Sequence, residues 1–310
     1  MRLTEQQAAE IETARTQRSQ TARPTVAALE DLLYQALPVL DHGFVRVIDY
    51  MGDDSAIVQA ARVSYGRGTR RVSEDAGLIR YLMRHRHSTP FEMCEIKYHV
   101  KLPIFVARQW IRHRTANVNE YSARYSIVPD RFYKPTLDQV RKQSTGNRQG
   151  GEERFRVAEG IEASRHQGIE AEHRTAEEFL RYLDDAEAMY ERYEGLTKAG
   201  VSREMARIAL PVSVYTEWYW KCDLHNIFHF LSLRMDEHAQ VEIRDYANAM
   251  FALIQPIVPI AAEAFMDYNF GSMHLSKLEV EAIKSGRPLG TENKRELAEW
   301  DQKRKKLGLE

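Results

Sequence analysis

Residues 94–101 read CEIKYHVK, and their alternation sets the architecture. Cys94, Ile96, Tyr98 and Val100 fall on one side of an extended chain, with Glu95, Lys97, His99 and Lys101 on the other. A period of two with one apolar side marks a strand with one face on a core. Pro103 follows, at a place where proline can open a helix, and Ile104–His113 continues as that helix. Upstream, Phe44–Tyr50 reads as a second strand and Asp54–Val63 as a short helix. Ser73 is suited to cap the next helix, with Glu74 and Asp75 in a first turn that favours acids and Leu78, Leu82 and Met83 on its apolar side.

Downstream the pattern turns helical. Ile169, His173, Ala176, Leu180, Leu183 and Tyr190 share one helical face that ends near Gly195. Ser202 reads as the cap of a helix that stops by Pro211, and Asp223 as the cap of another with Leu224, Ile227, Phe228 and Leu231 on one side. A longer helix spans roughly Glu237–Leu253. Asn117–Ser126 has no period and reads as a loop, and 141–160 as a polar, glycine-containing surface insertion. The aromatic run Tyr215–Trp220 (YTEWYW) reads as core or subunit interface. The fold class is therefore α/β or α+β, helix-rich in its C-terminal half.

Composition narrows the function. Across 310 residues, Lys plus Arg (44) nearly balance Asp plus Glu (45), so bulk charge favours neither nucleic acid nor an anionic membrane. Any anion site is a local concentration of arginine. The two cysteines, Cys94 and Cys222, build no disulfide framework and no Cys-rich zinc site, and they read as buried, inert thiols in a reducing cytoplasm. The N-terminus has no apolar signal region, and apolar runs such as Phe251–Ile260 are too short to span a bilayer. No GxGxxG or GxxxxGK[ST] loop is present.

Local concentration is what Arg108–Arg124 provides: RQWIRHRTANVNEYSAR holds five Arg or His residues. Guanidinium groups grip phosphate through paired donors, while Asn, Glu and Ser supply directional contacts to a base or sugar. The segment suits a phosphorylated, base-containing ligand, with a solvated basic helix end as the alternative. Two other readings are open. His225 and His229, and His238 and Glu242, stand four apart as metal ligands on a helix do, and His85 and His87 add to the count of candidates. Trp110 and Tyr121 among the arginines also suit a module that stacks single-stranded RNA.

Residues 112–124, RHRTANVNEYSAR, resemble the RHRxxSxNExSxR motif of the flavin-dependent thymidylate synthases, with Asn117 where the family has serine. ARVSYG (61–66), HSTPFE (87–92) and the stretch from Arg203 to Gln240 resemble the same family in the same order, so the likeness runs from roughly residue 43 to 270. The resemblance implies a mixed or antiparallel sheet with packed helices. It implies a methyltransferase of dTMP biosynthesis that reductively methylates dUMP. Its carbon donor is 5,10-methylenetetrahydrofolate, NADPH-reduced FAD supplies the hydride, and tetrahydrofolate leaves. It also implies a cytoplasmic homotetramer with sites shared between subunits and no bound metal, nucleic acid or membrane. On this view 1–40 is an arm, 41–275 a single catalytic domain with an insertion at about 135–195, and 276–310 a charged tail.

Residue by residue, the family pattern assigns FAD to Ser64, His87, Thr89, Arg112, His113, Arg114, Glu120, Asp223, His225 and His229. It assigns dUMP to Gln109, Trp110, Ile111, Arg112, to Glu120, Tyr121, Ser122, Ala123 and Arg124, and to Arg207 and Arg234. Ser122 has no base among its neighbours and is expected to position ligand rather than attack it. Arg234 is the expected catalytic residue, a cation beside the pyrimidine N3 that makes the ring electron-rich without a cysteine nucleophile.

Overall fold

The computed structural model describes residues 5–17, 20–63, 72–124, 127, 131–144, 151–157 and 167–309. Helices α1 (Glu5–Thr16) and α2 (Ala27–Glu30) precede strands β1 (Leu37–Val39) and β2 (Gly43–Met51). Helices α3 (Asp54–Val63), α4 (Val72–Arg84) and α5 (Thr89–Glu92) lead to β3 (Glu95–Pro103), α6 (Ile104–Trp110) and β4 (Asn117–Glu120). A ribbon of β5 (Arg141–Gln143) and β6 (Gly151–Arg154) comes before the long α7 (Gln167–Lys198) and the single turn α8 (Arg203–Ala206). Strand β7 (Tyr215–Asp223) and helices α9 (Leu224–Arg234), α10 (Val241–Ile254) and α11 (Pro259–Phe265) follow.

These elements form one compact unit, Met1–Phe270, and Gly271–Glu310 forms a second. In the second unit, α12 (Lys277–Ser285) and α13 (Lys294–Leu307) bury Ala282, Leu289 and Trp300, and Lys303 pairs with the buried Glu279 at 2.8 Å.

Among the described residues the main sheet has five strands in the order β1-β2-β3-β7-β4, each antiparallel to its neighbour. The alternation read in 94–101 is what β3 displays: Cys94, Ile96, Tyr98 and Val100 are buried, and the charged residues between them face the other side. The run YTEWYW turns out to open β7, an interior strand between β3 and the edge strand β4. Trp220 lies opposite Tyr98, and Trp218 opposite Val100. Both indoles point into the core, where Trp110 of α6 meets them edge to face at 5.6 and 5.7 Å. Such ring pairs contribute about 0.5–1.5 kcal/mol beyond burial, so α6 is fixed to the sheet through one side chain. Helix α10 packs on β1, β2, α6 and α9, and its buried Tyr246 donates to the Lys101 carbonyl at 2.6 Å.

Several local expectations change. Asn117–Glu120 is a strand rather than a loop, an edge strand pairing with Trp218–Lys221. Only Val118 is half-buried there, so no apolar alternation betrays it. The helix after Pro103 ends at Trp110, which leaves Arg112, His113 and Arg114 beyond its end. Ser73 lies inside the first turn of α4 rather than ahead of it. Ser202 stands before α8 without a side-chain capping bond, and the helix expected from Glu237 begins at Val241. Within 141–160, β5 and β6 pair. Among the described residues no helix is long and apolar enough to cross a membrane.

The tightest point is Gly43, where a Cβ would stand 1.9 Å from the Tyr246 hydroxyl and 2.8 Å from the Lys101 carbonyl that the hydroxyl bonds. Gly43→Ala is expected to cost about 2–3 kcal/mol, read as a lowered urea midpoint. Adding Tyr246→Phe should recover part of that loss. An unchanged midpoint in Gly43→Ala would contradict this packing.

Candidate active site

With Trp110 buried in the core, the chain leaves α6 in a turn closed by His113 N–H donating to the Trp110 carbonyl at 3.0 Å. Arg112 and Arg114 then face solvent, and His113 between them turns inward. Its ring lies 4.9 Å from that of Phe230 and 5.9 Å from that of His229, both on α9.

Helix α9 is tied to this strip at both ends. At its start the Asp223 carboxylate caps the helix, accepting from the Asn226 backbone N–H at 2.9 Å and from its side-chain amide at 2.8 Å. Such a cap stabilises by about 1 kcal/mol. The Asn226 carbonyl oxygen in turn accepts from the Thr115 hydroxyl at 2.8 Å. At the other end Arg234 Nε donates to His113 Nε2 at 3.1 Å, and its Nη2 reaches the Gln109 carbonyl at 3.5 Å. His225 and His229 stand exposed one turn apart on the same helix.

The Arg234 contact requires a neutral His113, because only a deprotonated Nε2 can accept. Burial, then the charge of Arg234, then His229 hold its pKa down at about 4. Arg234 is half-buried, and burial lowers its pKa, with no carboxylate among the described residues to offset the loss of water. A guanidinium taken from water without a counter-charge is the environment in which an incoming anion or electron-rich ring is favoured.

A second cluster follows β4. Glu120 accepts from the Thr216 hydroxyl at 2.8 Å, and Tyr121 N–H continues the sheet by donating to the Glu217 carbonyl at 2.8 Å. Ser122 Oγ accepts from Arg124 N–H at 3.3 Å, so this hydroxyl shapes its own turn. The Arg124 guanidinium pairs with Glu204 of α8 at 3.4 Å, and Arg207 lies on the next, 3-10 turn. Four strand residues at roughly 3.3 Å each separate this cluster from the strip within one chain. A third patch holds His87 and Thr89, both exposed, with the Tyr81 ring 6.0 Å from His87; α5, which carries Thr89, packs on α9. Ser64 lies outside the described residues.

Some sequence candidates change character. The Trp110 ring is wholly buried, so any ligand contact from that position is a main-chain one and the ring is closed to RNA stacking. Ile111 is exposed and Ala123 half-buried. Among the described residues no group of three or more His, Cys, Asp or Glu is arranged to hold a metal. Both thiols are buried. Cys94 donates to the Asp53 carbonyl at 3.4 Å, and burial pushes its pKa up to about 12. Cys222 donates to the Thr115 carbonyl at 3.2 Å, and burial raises its pKa too. Three further site residues escaped notice: Thr115, Asn226 and Gln240, the last hydrogen-bonded to the Gln109 side chain. Asn226 carries a signal, since it stands three residues after the capping Asp223.

A basic strip bonded to a capped helix suits an anionic ligand. The family profile described as thymidylate synthase complementing protein matches residues 46–260, which makes the chain a thymidylate synthase and so a methyltransferase. It is 59% identical over 277 residues to the flavin-dependent thymidylate synthase of Dictyostelium discoideum, covering 87% of this chain and 86% of that one. It is 58% identical over 280 residues to the enzyme of that name from Gluconobacter oxydans, covering 89% and 87%. The UMP/dUMP methylase PolB from Streptomyces cacaoi, solved with 5-Br dUMP, is similar in structure with a TM-score of 0.62 and 32% identity, over 76% of this chain and 99% of that one. The chain belongs to the flavin-dependent thymidylate synthase family.

The depressed His113 pKa has a sign. An unfolded imidazole titrates near 6.5 and the folded one at about 4, so as the pH falls the unfolded chain takes the proton first. The stability from this contact is complete above 6.5 and is lost as the pH drops toward 4. Urea midpoints measured between pH 7.5 and 4.5 are expected to fall less steeply in His113→Asn than in the parent. Parallel curves would contradict a neutral, half-buried His113.

Proposed function

We propose that the chain converts dUMP to dTMP by reductive methylation. The carbon comes from 5,10-methylenetetrahydrofolate, the hydride from NADPH through FAD, and tetrahydrofolate is released. The observation that carries this reading is the uncompensated Arg234 guanidinium, held by neutral His113 and the Gln109 carbonyl. Carbon 5 of uracil is a weak nucleophile. A fixed cation beside N3 and its flanking carbonyls favours the N3-deprotonated ring, which places more electron density at carbon 5. Gln109, whose side chain Gln240 orients, serves as a directional partner for the pyrimidine.

The donor set fits a flavin dinucleotide. Arg112 and Arg114 are exposed cations suited to a diphosphate. His225 and His229 on α9, with His87 and Thr89 beside it, offer polar contacts to ring and sugar edges. When bound, FAD supplies the hydride that completes the methyl group. Arg112, His113, Arg114, Glu120 and Asp223 hold or shape that site, and Ser64 is assigned to it by motif alone. Arg124 and Arg207 serve the nucleotide phosphate, with Glu120, Tyr121, Ser122 and Ala123 positioning the same segment. The Arg124–Glu204 pair is exposed on both sides. Such pairs contribute only about 0–1 kcal/mol, so a phosphate dianion displaces the carboxylate readily. The separation of this cluster from the strip by β4 supports a homotetramer in which one subunit's Glu120–Arg124 completes another's site. No cysteine nucleophile is used, since a thiol with a pKa of about 12, as at Cys94, supplies almost no thiolate at neutral pH.

Arg234→Ala is expected to abolish dTMP formation, with flavin absorbance retained in the purified protein. Normal turnover in that variant would remove its role. The double variant Cys94→Ser, Cys222→Ser is expected to keep turnover within about threefold, because each hydroxyl can donate to the same carbonyl. Loss of turnover at unchanged circular dichroism would argue for a covalent thiol intermediate.

A further inference from the structure

A cavity of about 1060 Å³ lies between α7, the β5–β6 ribbon and the turn before α10. That is the upper end of the range for small-molecule sites, about 300–1,000 Å³. Phe105, Tyr133 and Phe155 line it together with Phe179 and Tyr182, and the last two are exposed large side chains on one face of α7. Exposed rings on a helix face stay out of the core and are free to stack on a ligand. Arg141, Lys142 and Arg244 add cations to the same wall; Lys142 pairs with Glu172 at 3.0 Å and Arg244 donates to the Glu237 carbonyl at 3.0 Å, while one of the carboxylates there, Glu242, accepts from the Tyr133 hydroxyl at 3.0 Å. Gln240 also lines the cavity and is hydrogen-bonded to Gln109, so one end abuts the pyrimidine side of the proposed site.

We propose that this cavity binds the p-aminobenzoyl-glutamate tail of the folate co-substrate, an aromatic ring followed by carboxylates. The inference rests on the function proposed above. Location selects the folate: its one-carbon unit must reach the pyrimidine, so its tail has to leave from the Gln109 side, whereas NADPH only has to reach the flavin. The rings receive the benzoyl group, and Arg141, Lys142 and Arg244 receive the carboxylates. The 135–195 insertion, which supplies the ribbon and α7, thereby acquires a ligand-binding role.

The test uses flavin-loaded protein and calorimetric titration with 5-formyltetrahydrofolate, NADP+ and dUMP. Phe179→Ala, Tyr182→Ala and Lys142→Gln are the variants. The first two sit on an exposed helix face and leave the core intact. The expected result is about tenfold weaker binding of 5-formyltetrahydrofolate, with dUMP affinity, NADP+ affinity and flavin content unchanged. Unchanged folate affinity in all three variants, or weakening confined to NADP+, overturns the assignment and leaves the proposed activity standing. A parent protein that binds neither flavin nor dUMP overturns that activity and the cavity's role with it.

Discussion

Arg234 and His113 lie 121 residues apart in sequence and meet at 3.1 Å. In the proposed mechanism this bond decides the chemistry of the site. A half-buried guanidinium with no carboxylate among the described residues beside it has lost water without gaining a counter-charge, and a neutral imidazole and a backbone carbonyl direct it. Had His113 been a carboxylate, Arg234 would be better stabilised and of less use, since its charge would already be spent. The imidazole orients the cation without neutralising it.

The fold makes that bond possible from the core outward. Trp110 packs against Trp218 and Trp220 of β7 and against Phe230 of α9, with ring centroids 4.7 Å apart in the last case. One indole thus fixes the end of α6 to both the sheet and the helix that carries Arg234. The strip Arg112–Arg114 begins two residues later, so its position follows from aromatic packing more than from its own interactions. At the far end of α9, the Asp223–Asn226–Thr115 chain of hydrogen bonds sets the helix along the strip. Changes in the core around Trp110 are therefore transmitted to the position of Arg234.

Parts of this were plain in the sequence and parts were not. The CEIKYHVK alternation and the bounds of Asp54–Val63 were legible because one-sided burial writes itself into a period of two or of 3.6 residues. The Asp223 cap was legible because its chemistry is local. Strand β4 was hidden because an exposed edge strand needs no apolar pattern, and β7 because aromatic residues fill both of its faces at Trp218, Tyr219 and Trp220. Trp110 stood among arginines as a nucleotide contact or stacking group, and its ring is buried, since a helix end places neighbours in sequence on opposite sides. The Arg234–His113 and Gln240–Gln109 bonds join residues more than a hundred apart, and no local pattern announces such pairs.

The central claim concerns a charge and a ring nitrogen, so the direct measurement is the titration of that nitrogen. With dUMP labelled with 15N at N3 and bound to the flavin-loaded protein, nuclear magnetic resonance reports the pH at which N3 loses its proton. A cation fixed beside N3 predicts deprotonation at lower pH in the complex than in free dUMP. Deprotonation at the same or a higher pH would contradict the account.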